Sequence, residues 1–204
     1  MNVRVKETAD ETRERIVRVA EELFRRMGFA KTAVADIAGE LGMSPANVYR
    51  FFPSKTAIVA TICSRCLLES EAEVAEAIAS ADTPQARIIA AYLSILHYHK
   101  ENFLEERRVH DLVQVAIENN WEAIEAHKAR IAEMVAKALA DGIASGVFVP
   151  HDPQAVSQII LGASVRFCHP LLVAQHIDED LEANLRATVA FLLRSVEVER
   201  TPLS

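Results

Sequence analysis

Asn47, Tyr49 and Arg50 fall within one helical turn, directly after Ser44-Pro45 and beside Ala46. If this stretch is helical, Val48 and Phe52, four positions apart, pack inward, leaving Ala46, Asn47, Tyr49 and Arg50 to flank and solvent. An asparagine amide bonds adenine bidentately, a guanidinium does the same with guanine, and a phenol donates to a phosphate oxygen. This is the chemistry of reading a duplex. The chain has no G-x-S-x-G, HExxH or phosphate loop, so a helical enzyme is only an alternative reading. A second alternative, a helical protein-interaction module without DNA binding, requires changes at Tyr49 and Lys55 to be silent.

Such a set works only if a rigid frame presents it. Ser44 is placed to cap a helix from Pro45 to Phe52, and Pro45 suits its first position, which has no intrahelical N–H bond to lose. Before it, a short helix from Ala33 to Leu41 turns Val34, Ile37, Ala38 and Leu41 inward, with Thr32 placed as its cap and Gly42 as its stop. An earlier helix starts at the capping box Thr8-Ala9-Asp10-Glu11, carries Ile16, Ala20, Leu23, Phe24 and Met27 on one face, and ends at Gly28. Two short helices around a tight glycine turn have the sequence form of a helix-turn-helix, whose second helix lies in the major groove.

Charge agrees with that placement. The net charge of −7 over 204 residues opposes phosphate binding if spread evenly. Residues 1–55 hold ten Lys or Arg against eight Asp or Glu, while residues 56–204 hold twelve against twenty-one. DNA contact is therefore expected only in the N-terminal quarter, and the acidic remainder has another task.

The remainder also reads as helix. Ser54 can cap a long fourth helix carrying Ile58, Ile62, Cys66 and Val74 toward Ala79, and further helices are predicted over Pro84–Lys100, Leu104–Asn119, Trp121–Ser145, Pro153–Cys168 and Glu179–Val198. The expected fold is all-α, with an N-terminal three-helix DNA-binding domain at 1–55 and a C-terminal helical domain at 56–204. The apolar stretch Val156–Val165 is interrupted by Ser157 and Gln158, well short of the roughly 20 residues of a membrane span. The start lacks a signal peptide's apolar run, so the expected location is cytoplasmic, with Cys63, Cys66 and Cys168 reduced.

At this point the residues resemble a known family. Gly28-Phe29, Thr32-Ala33-Val34-Ala35-Asp36-Ile37-Ala38, Leu41-Gly42-Met43-Ser44 and Val48-Tyr49-Arg50-Phe51-Phe52-Pro53-Ser54-Lys55 look like the DNA-binding domain of the tetracycline-repressor (TetR) family. The resemblance covers about a quarter of the chain and combines many positions at fixed spacing. It implies that Tyr49 and Lys55 contact phosphates, that Thr32 caps the second helix near the DNA backbone, and that Ala46, Asn47 and Arg50 face the bases. With Ser44, these form the expected DNA-binding set, to which Arg4 and Lys6 add an N-terminal arm. Ala33 and Phe51 depart from the family, which usually has a second hydroxyl residue and often His or Tyr there, so one phosphate contact is in doubt at each place.

The resemblance also implies a regulator, a repressor by preference, that binds a palindromic operator as a homodimer and is released by a small-molecule effector, with 56–204 as its ligand-binding and dimerisation domain. Ala140-Asp141-Gly142-Ile143-Ala144-Ser145-Gly146-Val147-Phe148, then His151-Asp152-Pro153, look like the family's junction before its last two helices. On those helices Val156, Ile160, Ala163, Phe167, Leu185, Val189 and Leu192 are expected at the dimer interface. His97, Phe103, His110, Trp121, Phe167 and His169 are the expected pocket residues. No metal or cofactor is expected, because neither His97 with His99 nor the lone Cys63-x-x-Cys66 has a usable ligand spacing.

Overall fold

The structure, a computed structural model, describes residues 8–103 and 107–198, with side chains at 8–102 and 112–198. Arg4, Lys6 and the side chains of Phe103 and His110 lie outside the described residues. The fold is all-α, and by compactness the chain forms two units: Met1–Cys66 with Glu105–Trp121, and Leu67–Leu104 with Glu122–Ser204. The first unit thus extends beyond the 1–55 segment marked out by charge.

In the first unit, α1 (Ala9–Met27) begins at the expected capping box, with Thr8 accepting from the Glu11 N–H and Glu11 accepting from Thr8. Asp10 and Glu11 in the first turn and Arg25 and Arg26 in the last complement the helix dipole. Gly28 ends the helix with φ +90. Then follow α2 (Val34–Glu40), α3 (Pro45–Phe51), the start of α4 (Lys55–Ala79) and α6 (Arg107–Asn119), which packs on α1. Ile16, Ala20, Phe24, Ile37, Val48, Phe52, Ile58 and Leu112 form one core. Burying each large apolar side chain contributes about 1.5–3 kcal/mol, so this small unit is held chiefly by that cluster.

In the second unit, α4 continues from Leu67 and is followed by α5 (Pro84–Phe103), α7 (Trp121–Ala144, from Glu122 onward), α8 (Pro153–Ala163), α9 (Val165–Cys168), α10 (Pro170–Gln175) and α11 (Leu181–Arg194). Its core gathers Val74, Ile88, Tyr92, Leu96, Ile131, Leu139, Phe148, Ile160, Phe167, Leu185 and Val189. Gly142 explains the junction: Phe148 lies so close that a Cβ on residue 142 would stand 2.2 Å from its ring. The amides of Val147 and Phe148 both donate to the Gly142 carbonyl, and Gly146 turns the chain at φ +73.

The expected helix over Pro153–Cys168 is broken. Ser164 donates its N–H to the Ile160 and Leu161 carbonyls and ends α8, and its own carbonyl accepts from Phe167 in the next, tighter turn. Gly162, Ser164 and the β-branched Val165 are weak helix formers, so little local propensity resists the break. Pro170, which lacks an N–H, then starts α10.

Candidate nucleic-acid interface

The turn between α2 and α3 is closed by backbone alone. Gly42, at φ +65, occupies the left-handed position that glycine takes without a Cβ penalty. Its N–H donates to Gly39 at 3.1 Å and that of Met43 to Ala38 at 2.9 Å, the paired bonds of a Schellman ending. Ser44 then caps α3, accepting from the Asn47 N–H at 3.3 Å, and Pro45 fills the first helical position. Val48 is buried in the core, fixing the roll of the helix. Ala46, Tyr49 and Arg50 are exposed and Asn47 is half-buried, with its amide against the Met43 sulfur at 3.7 Å. Tyr49 is 51% exposed, a large aromatic presented to solvent with a polar end.

Thr32 does not cap α2, and Lys55 has other partners beside any phosphate. Thr32 is buried at 1% exposure, and its hydroxyl donates back to the Gly28 carbonyl at 2.9 Å. It finishes α1 rather than starting α2. The residue before α2 is Ala33, and its N–H is taken by the Asp36 carboxylate at 2.7 Å. Thr32 is therefore a positioning residue. Its hydroxyl satisfies a carbonyl left over at a helix end, a need that spacing alone does not disclose.

Lys55 is only partly available. Its ammonium donates to the carbonyls of Phe29 at 2.6 Å and Thr32 at 2.8 Å, and sits 4.1 Å from the Phe29 ring centroid. An ammonium has three N–H donors, so one remains for a phosphate. Burial lowers the Lys55 pKa from the usual lysine value.

Arg13 belongs to the site although no local motif announces it. From α1 its guanidinium donates to the Phe51 carbonyl at 2.9 Å and lies 4.2 Å from the centroid of the Phe52 ring. It satisfies a carbonyl at the end of α3 and complements that end of the helix dipole. Tertiary pairs of this kind, 38 residues apart, leave no local pattern.

In the second unit three of the expected pocket residues have described side chains. His97 pairs with Glu182 at 3.1 Å on the surface, Phe167 is core, and His169 is half-buried. Trp121 is 59% exposed and belongs to the first unit. Of the seven expected interface residues, Ile160, Phe167, Leu185 and Val189 are buried in the unit's own core. Val156 and Leu192 pack against that core, and only Ala163 is exposed. The outward faces of α8 and α11 instead carry Ile159, 60% exposed, and Phe191, 67% exposed, with the small Gly162, Ala163, Ala183 and Ala187.

Two of the three thiols, Cys63 and Cys168, are not activated. Burial and the neighbouring Cys66 push Cys63 up to about 11, and burial pushes Cys168 up to about 12, opposite to the shift a reactive cysteine needs. Among the described residues no single helix is long and apolar enough to cross a membrane.

Comparison with known proteins covers both units. Residues 16–62 match the family model "Bacterial regulatory proteins, tetR family", and residues 84–189 match "Tetracyclin repressor-like, C-terminal domain". The regulator TtgR of Pseudomonas putida is 37% identical over 85 residues, which are 42% of this chain and 38% of that protein. The chain thus aligns with well under half the length of that curated relative. A TetR-family regulator from Pectobacterium atrosepticum superposes with a TM-score of 0.70 at 20% identity, over 96% of this chain and all of the other. The regulator PfmR of Thermus thermophilus does so with a TM-score of 0.58 at 26% identity, over 91% and 100% of the two chains.

Proposed function

The chain belongs to the TetR family of bacterial regulators, and from that premise we propose that it is a DNA-binding transcriptional repressor, not an enzyme, acting as a homodimer in the cytoplasm. The observation that carries this reading is α3. It is a capped helix whose inner face is locked by Val48 while Ala46, Tyr49 and Arg50 remain exposed beside Asn47. Asn47 and Arg50 read base edges, Tyr49 and the remaining N–H of Lys55 hold phosphates, and the Ser44 hydroxyl, at the helix start, adds a donor toward the backbone.

Two reading heads related by a twofold axis recognise a palindrome. The dimer surface proposed is the outward face of α8 and α11, centred on Ile159 and Phe191, because exposed apolar side chains interspersed with small residues suit close helix packing. The second unit binds a small-molecule effector. Because α4 runs through from Lys55 into that unit, the effector releases DNA by shifting α4 and with it the spacing of the reading heads; operator and effector then weaken one another reciprocally.

The test is selection of bound sequences from random duplex DNA by the purified protein, with Tyr49→Ala as control. A twofold-symmetric site lost in the variant is expected; no enrichment at low salt would sink the reading. Arg50→Ala should cost about 1–3 kcal/mol and relax preference at one base pair in each half-site. Spin labels on the two α3 helices should report a changed separation when an effector releases DNA. An unchanged distance would rule out the α4 mechanism but not DNA binding.

A further inference from the structure

Asn47 reads a base only as selectively as its amide is oriented. The carbonyl end accepts and the NH2 end donates, so turning the group over exchanges the pattern it presents. In the major groove adenine shows an N6–H donor beside the N7 acceptor, guanine shows two acceptors, cytosine a donor, and thymine an acceptor beside a methyl group. A freely turning amide finds some partner on each of these edges; a fixed one favours its own complement.

Here the amide is held from within the protein. Its Nδ2 donates to the Sδ of Met43, four positions earlier, at 3.7 Å. A thioether sulfur accepts and never donates, so the nitrogen and not the oxygen belongs beside it. Turned over, Oδ1 would face Sδ with no hydrogen between two acceptors.

Neither partner is loose. The Met43 N–H is bonded to the Ala38 carbonyl at 2.9 Å, and its side chain packs against the buried cluster of the first unit. Asn47 gives its backbone N–H to the Ser44 hydroxyl at 3.3 Å, and Val48, next in sequence, is 0% exposed. The backbone under both side chains is therefore fixed, while Asn47 itself is half-buried and still reaches solvent. With one N–H on sulfur, one N–H and Oδ1 remain, and among the described residues neither has a partner. One donor beside one acceptor complements adenine. Guanine asks for two donors, and cytosine and thymine each leave half of the pair unmet.

We propose that Met43 is a positioning residue for base recognition: its sulfur holds the Asn47 amide so that this side chain selects adenine. The proposal rests on reading α3 as the helix that enters the major groove, and it adds the base that is read and the group that fixes the reader.

The test uses the full chain. The parent, Met43→Leu, Asn47→Ala and the double variant each select from random duplex DNA, and fluorescence anisotropy then compares the selected site with its single-base changes and with an unrelated duplex. Leucine keeps the apolar volume of methionine and lacks its acceptor, so the core and the helical content should be retained. The position whose preference Asn47→Ala erases should be adenine in the parent. There Met43→Leu should lower discrimination against the other bases about two- to fivefold per half-site, the size of one weak hydrogen bond, and leave the other positions and the affinity for unrelated duplex unchanged. On the Asn47→Ala background the same change should do nothing. A sulfur that merely packs would instead lower affinity for every duplex alike, with or without Asn47. That uniform loss, an undiminished adenine preference in Met43→Leu, or a base other than adenine at the Asn47 position overturns the proposal and leaves the repressor reading intact; a parent that selects no site overturns both.

Discussion

Lys55 clamps Phe29: its ammonium donates to the Phe29 carbonyl at 2.6 Å while lying 4.1 Å from the centroid of the same residue's ring. With the second bond, to the Thr32 carbonyl at 2.8 Å, this one side chain ties the start of α4 to the segment between α1 and α2. A residue expected from its family pattern to touch phosphate therefore also holds the frame of the reading head.

Lys55→Ala should accordingly lose stability as well as affinity. Hydrogen bonds from a charged donor and a cation over an aromatic face are each worth about 0.5–3 kcal/mol, and partial exposure places the sum near 1–2 kcal/mol. Tyr49→Ala removes an exposed side chain and should leave stability within about 0.5 kcal/mol while weakening DNA binding. Urea unfolding without DNA separates the two. Equal midpoints for Lys55→Ala and the parent would show that the clamp contributes nothing.

His99 makes the second unit sensitive to acid. Its ring Nε2 donates to the Cys168 carbonyl, and burial holds its pKa down at about 4 against 6.5 for the free side chain, with His127 and His169 adding repulsion. The folded state therefore resists a proton that the unfolded chain accepts. Stability is complete above pH 6.5 and falls between pH 6.5 and 4, by at most about 3 kcal/mol because the ring keeps some exposure. His99→Gln keeps a donor without the titration. A flatter stability profile in that window is expected from the variant; an identical slope would assign the acid sensitivity to other groups.

The legible parts of this fold are those written in neighbouring residues. Thr8 with Glu11, Gly28, Gly42 and Ser44-Pro45 each announce a helix end by a rule that spans four residues or fewer, and α1 and α3 begin where those rules put them. What the sequence conceals is which of several possible partners a side chain takes. Thr32 looks like a cap for the helix after it because nothing nearby shows that Gly28 holds its hydroxyl. Along Ile159-Ile160-Leu161 the periodicity cannot say which of three adjacent apolar residues faces inward, and Ile160 is the one the core takes. Composition likewise names histidines and aromatics for a pocket but not which of them face one another.

Gly142 is a further close approach with a measurable consequence. Gly142→Ala drives a Cβ against the buried Phe148 ring, to 2.2 Å if nothing shifts, with Pro84 at 3.1 Å on the other side. The ring has no free end to swing aside, so overpacking should cost about 1–3 kcal/mol. Phe148→Leu in the same chain should recover part of that loss, since it removes the atoms in collision. Additive effects of the two changes in thermal unfolding would mean that the clash is relieved elsewhere.

The outward residues of α8 and α11 allow assembly to be separated from folding. Ile159 and Phe191 are more than half exposed, whereas Ile160 and Val189 beside them are fully buried. A charge at position 159 or 191 stays in water when the chain is alone and is buried only if another chain covers that face. Ile159→Asp and Phe191→Asp should therefore give folded monomers by sedimentation, with little change in helical content and with the cooperative binding of a palindromic site lost. Ile160→Ala, by contrast, leaves a cavity within the second unit and should cost about 2–5 kcal/mol whatever the state of assembly. Dimers that persist in both aspartate variants would move the interface off this face; aspartate variants that unfold as badly as Ile160→Ala would mean that these side chains serve the core and not a partner.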